Sequence, residues 1–88
     1  MASFAIEVYE PGLTEPFVQD LADRVKRTVA ELAAQGADIR YVRCTLSPVD
    51  EILFVRLEGA SVAVIDEVVR HLGLADTRVS EMLDLTDV

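Results

Sequence analysis

Glu7 and Tyr9, Tyr41 and Arg43, and Phe54 and Arg56 stand as pairs two residues apart, and Glu81 adds a carboxylate further along the chain. A spacing of two puts both members of a pair on one face of an extended strand. Arginine offers a planar fork of donors to an enolate-like oxygen, tyrosine a hydroxyl, phenylalanine an aromatic face and glutamate a general base. Together Glu7, Tyr9, Tyr41, Arg43, Phe54, Arg56 and Glu81 make a candidate ligand-binding set. Nucleophilic catalysis needs a nucleophile beside its base, and neither serine context supplies one: Ser47-Pro48 reads as a turn, and Ser61 as a helix cap. No residue is therefore assigned a catalytic role.

Nickel or zinc at neutral pH favours imidazole or thiolate, and the chain holds one histidine, His71, and one cysteine, Cys44. His71 lies just before Gly73, at the end of a helical pattern, where imidazole suits the last carbonyls. Cys44 sits in a strand pattern with no neighbour in sequence that would lower its pKa, so it reads as a small core hydrophobe. No metal ligand is assigned.

These residues must be held by strands, and the hydrophobic periods show which. Ser3 to Glu10 alternates Phe4, Ile6 and Val8 with Ala5, Glu7 and Tyr9, and Pro11-Gly12 ends the run. Thr14 is an N-cap for a helix over about 14–36, with Phe17, Leu21, Val25, Thr28/Val29 and Leu32 on one stripe and Gly36 as its stop. Ile39 to Leu46 and Ile52 to Glu58 are β-branched and aromatic runs joined by Ser47-Pro48-Val49-Asp50-Glu51, a hairpin loop. A second helix follows Gly59-Ala60-Ser61 and turns Ile65, Val68, Val69 and Leu72 inward before Gly73. Arg78 to Leu85 reads as the last strand, and the acidic stretch Glu81 to Val88 finishes it. The order β-α-β-β-α-β predicts an α+β, ferredoxin-like sandwich: a four-stranded antiparallel sheet with both helices on one face. Residues 1–88 are expected to form this single domain, since 88 residues leave room for one core.

Alternation then sorts the two faces of the sheet. Phe4, Ile6, Val8, Val42, Cys44, Leu46, Leu53, Val55 and Leu57 are expected to face the helices. Glu7, Tyr9, Tyr41, Arg43, Thr45, Ile52, Phe54, Arg56 and Glu58 fall on the open face, with Glu81 and Leu83 joining from the last strand. Should the chain instead be a monomer, pairs of the type Glu7–Arg56 and Glu58–Arg43 would be ordinary cross-strand ion pairs on that face.

The formal charge of −8, from 16 acids and 8 bases, repels phosphate backbones and anionic lipid, which argues against nucleic-acid and membrane partners. Met1 to Glu10 has no basic leader pattern, and no run approaches the ~18 apolar residues of a membrane span, so a cytoplasmic protein is expected. Hydrophobic residues make up 51% of the chain, more than so small an interior needs, which points to a partner surface.

Glu7-Val8-Tyr9-Glu10-Pro11-Gly12-Leu13-Thr14, Arg40 to Glu51, Leu57-Glu58-Gly59-Ala60-Ser61 and Leu72-Gly73-Leu74 resemble the small domain-of-unknown-function proteins known as nickel-binding protein-like. The resemblance implies a ferredoxin-like homodimer closing as a dimeric α+β barrel, with a divalent metal held by histidines and carboxylates in some members. This chain lacks the histidines: its first helix has none, and Leu74 stands where one is expected. The reading that follows is a homodimeric binding module, holding a small ligand or a divalent metal such as nickel between its sheets. The alternatives are a cofactor-free enzyme of cyclase or monooxygenase type, with Glu7 or Glu81 as base, and a purely structural dimer.

Overall fold

The computed structural model describes residues 1–74, 76–83 and 85. Its elements are β1 (Ala2–Tyr9), α1 (Glu15–Ala34), β2 (Ile39–Ser47), β3 (Ile52–Gly59), α2 (Val62–Leu72) and β4 (Thr77–Met82). All neighbouring strands pair antiparallel in the order β2-β3-β1-β4, the ferredoxin-like arrangement. The last strand ends at Met82, three residues short of the predicted Leu85. Asp84 and residues 86–88 of the predicted acidic tail lie outside the described residues.

Local chemistry explains where the helices begin and end. Thr14 is extended, and its hydroxyl accepts the Phe17 N–H at 3.4 Å, while Pro16 occupies the first turn, where a missing N–H costs little. At the other end Gly36 takes φ +95°, its N–H bonds the Ala33 carbonyl and the Ala37 N–H bonds that of Leu32. This is a Schellman closure, and it needs the left-handed conformation that glycine adopts without strain. Ser61 occupies the N-cap position of α2, but its hydroxyl makes no capping bond. The end of α2 is secured from outside: Arg24 of α1 donates through Nη2 to the Leu72 carbonyl at 2.9 Å, tying the two helices together. His71 bonds through Nδ1 to the Glu67 carbonyl at 2.8 Å in the last turn of α2, the helix-end role its position suggests.

α1 buries Leu21, Ala22, Val25, Val29 and Leu32, and α2 buries Ile65, Val68 and Leu72. They meet Phe4, Ile6 and Val8 of β1, Ile39 of β2, and Leu53, Val55 and Leu57 of β3 in one cluster. Phe17, predicted to head the α1 stripe, lies in the first turn of the helix and is 39% exposed, outside the core cluster. The whole molecule is a slab of 38 × 34 × 18 Å, and its short dimension is that of one helix layer on one sheet. The second face of the sheet has no covering element among the described residues.

Candidate functional site

Register decides which side chains share that uncovered face. β1 lies between β3 and β4, so Glu7 has Phe54 on one side and Arg78 on the other, and Ala5 has Arg56 and Ser80. Ser3 and Tyr9 continue the row, opposite Glu58 and Ile52 of β3. From β2, Arg40, Arg43, Thr45 and Ser47 stand opposite Glu58, Arg56, Phe54 and Ile52. Arg43, Phe54, Arg56, Glu7 and Tyr9 thus lie on the open face, as alternation predicts.

Tyr41 does not. A β-bulge falls between Tyr41 and Arg43, where β2 advances two residues while β3 advances one. Val42 is the extra residue. The bulge reverses the phase of alternation, so Ile39 and Tyr41 face the helices ahead of it and Cys44 and Leu46 after it. Val42, expected in the core, is 37% exposed, and Tyr41 packs against the core with the Lys26 ammonium 5.4 Å from its ring centre. Glu81 is also displaced from its predicted place: it pairs with Phe4, a core residue, and therefore belongs to the helix side of the edge strand, where it is exposed. Leu83, predicted to follow Glu81 onto the open face, lies beyond the end of β4 and is exposed.

Burial pushes the Tyr41 phenol and the Cys44 thiol above their ordinary values of 10.0 and 9.0, with the two groups also acting on one another. A thiol so shifted is a poor nucleophile, in keeping with a packing role. The unfolded chain releases these protons first, so above about pH 9 the folded state binds more protons and stability falls as pH rises. Thermal melts at pH 7, 9 and 10.5 should show a steeper alkaline loss in the wild type than in Tyr41→Phe/Cys44→Ala. Parallel slopes would mean that other groups govern the alkaline limb.

Two hollows open on or beside the sheet face. One, of about 260 Å³, is lined by Ala5, Glu7, Phe54, Arg78, Ser80 and Met82, and lies on the open face over β3, β1 and β4. Sequence reasoning missed Arg78, Ser80 and Met82. The single inward apolar residue Val79, flanked by Arg78 and Ser80, was the available signal, since it turns both neighbours outward. The other hollow, of about 270 Å³, lies at one end of the sheet among Tyr9, Glu10, Pro11, Asp50, Glu51 and Asp76. Its acidic wall is braced by the Gly12 N–H, which donates to Glu51 Oε2 at 2.7 Å. Tyr9 belongs to this end, and its phenol is pushed up by desolvation and then by the Glu7 carboxylate. Ser47 keeps to a turn role, its hydroxyl 3.1 Å from Asp50 Oδ2 in the hairpin loop.

The ion pairs differ from those expected. Glu7 pairs with Arg78 at 3.8 Å, and Glu58 pairs with Arg40, whose Nε donates to it at 2.8 Å. Both follow from register: Glu7 faces phenylalanine on β3 but arginine on β4, and ahead of the bulge Glu58 meets Arg40 rather than Arg43. Arg43 and Arg56 are left directly opposite one another. Arg56 Nε is inaccessible to solvent and has no hydrogen-bond partner. The donor set does not suit a divalent metal. Among the described residues no three His, Cys, Asp or Glu side chains are grouped to hold one, and His71 and Cys44 belong to different elements.

No family model matches the chain, and no curated protein does. The protein SCO4226 from Streptomyces coelicolor A3(2) has a crystal structure similar to this one, with a TM-score of 0.73 over 96% of this chain and 100% of that one. Identity between the two is 14%, so the likeness bears on the fold alone. No helix among the described residues is long and apolar enough to cross a membrane.

Proposed function

We propose that this chain is a cytoplasmic binding module that holds a small organic ligand on its open sheet face, with a second copy closing over it as a dimeric α+β barrel. The observation that carries the reading is the hollow of about 260 Å³ set into a sheet face with no covering element among the described residues. Phe54, Met82 and Ala5 give it an apolar wall, and Ser80, Glu7 and Arg78 give it polar points, the composition of a small-molecule site. The homodimer is also what the resemblance to the nickel-binding protein-like proteins implies. The ligand is assigned no metal, because the residues do not suit one.

Self-association suits the face for two reasons. It carries both signs of charge, in Glu7 and Glu58 against Arg40, Arg43 and Arg78, so a two-fold axis can set each sign against its opposite. Four strands of about eight residues cover roughly 500 Å², so a pair of sheets would bury about 1,000 Å², the lower bound for a specific interface. A dimer of that size dissociates on dilution. Binding is favoured over turnover because Glu7, the base an enzyme reading requires, is paired with Arg78, and Glu81 lies on the other side of the sheet.

Light scattering across a hundredfold concentration range is expected to show a dimer giving way to a folded monomer. Phe54→Lys, which puts a charge at the centre of the face, should leave only the monomer with its circular dichroism intact. A wild type that stays monomeric at the highest concentration would remove the second copy from the reading. A native mass spectrum of the purified protein tests the ligand directly, by any organic mass it retains.

A further inference from the structure

Arg43 and Arg56 are cross-strand partners on the open face, which brings like charges to about 5 Å between Cβ atoms. Such a pair is destabilising, and it occurs in a chain with twice as many acids as bases. Neither guanidinium has a carboxylate partner among the described residues, since Glu58 engages Arg40 and Glu7 engages Arg78. Arg56 Nε is shut off from water without an acceptor, although buried donors are nearly always paired. An anion between the two forks would accept from their Nη groups and cancel the repulsion.

The apolar hollow adjoins this pair. Ala5, on its wall, is the register partner of Arg56, and Phe54, also on its wall, precedes Arg56 by two residues on the same face. A cavity of about 150 Å³ admits benzene, so about 260 Å³ accommodates a ring or a short branched chain. We propose that Arg43 and Arg56 form an anion site, and that the ligand of the open face is a small amphipathic monocarboxylate whose apolar body lies in the hollow between Phe54 and Met82. This assignment rests on the open face being the binding surface, but it does not require the second copy.

The test titrates sodium benzoate into the full chain by calorimetry, against benzamide and against sodium chloride at equal ionic strength. Light scattering is recorded on the same samples. Benzoate should bind once per protomer and raise the melting temperature, with benzamide at least tenfold weaker. Arg56→Met and Arg43→Met should each weaken benzoate at least tenfold, while Arg27→Met, an equal change of charge on the far side of the molecule, should not. Arg43 is exposed, so its variant keeps the test open if Arg56→Met fails to fold. Equal affinity for benzoate and benzamide, no effect beyond that of chloride, or unchanged binding in Arg43→Met would overturn the proposal. A dimer that ignores benzoate defeats the anion site alone, and a monomer that binds it defeats only the second copy.

Discussion

Truncation of Leu57 to alanine is expected to cost about 2–5 kcal/mol, the range for removing a leucine from a packed core. Leu57 has no exposed surface and sits in β3, an inner strand, between Phe4 of β1 and Tyr41 of β2. Neighbours held by strand pairing on both sides cannot collapse into the space, so the cavity persists. A domain of this size has roughly 4–13 kcal/mol of stability in total, so the single change removes a large share. The melting temperature should fall by roughly 10–30 °C at any protein concentration. Val49→Ala, in the hairpin loop at 92% exposure, is expected to change it by less than the error of the melt. Phe54→Ala gives the contrast that matters: it lies on the other face of the same strand, so under the proposed dimer its cost should grow with protein concentration. A loss below about 1 kcal/mol for Leu57→Ala would mean that the core lies elsewhere.

That contrast between the faces of β3 is legible in the sequence, because Leu53, Val55 and Leu57 alternate without interruption with Ile52, Phe54, Arg56 and Glu58. β1 is as clear, with Phe4, Ile6 and Val8 buried. Inner strands flanked on both sides must keep strict register, and strict register writes itself as alternation. The edge strands obey a weaker rule. β4 carries one inward apolar residue of weight, Val79, so its phase is set by pairing with β1 rather than by its own pattern. Hence pairing with β1 turns Glu81 to the helix side, against the expectation, and brings Arg78, Ser80 and Met82 to the open face.

Ion pairs are harder still, since they need register as well as face. Glu7 meets Arg78 because the second helix returns β4 to the free edge of β1, a contact across some seventy residues that no local spacing encodes. The opposition of Arg43 and Arg56 is set by the hairpin, in step with the pairing of Ser47 and Ile52, whereas the one-residue shift in β2 decides the face of Tyr41 and the meeting of Arg40 with Glu58. The apolar adjacency Tyr41-Val42 was the one local sign of the shift, as a regular half-buried strand would not place two large apolar residues in succession.

If the bulge sets the phase of β2, then deleting single residues from that strand should have very unequal effects. Removal of Val42 leaves Ile39-Arg40-Tyr41-Arg43-Cys44-Thr45-Leu46, which alternates without a break and keeps every apolar residue on the helix side. It also preserves the pairings of Tyr41 with Leu57 and Arg43 with Arg56, so the cost should stay below about 1 kcal/mol, that of an exposed residue away from packing. Removal of Thr45 shortens the strand by the same length but leaves two poor choices. Leu46, which is partly buried, turns outward and loses part of the about 1.5–3 kcal/mol that full burial of a leucine gives, or the bulge is absorbed and Arg43 is driven toward the helices without a partner, which costs more. Urea unfolding of the two deletions should separate them, with the larger loss for Thr45. Equal losses would show that the extra residue at position 42 does not govern which side chains of β2 face the helices.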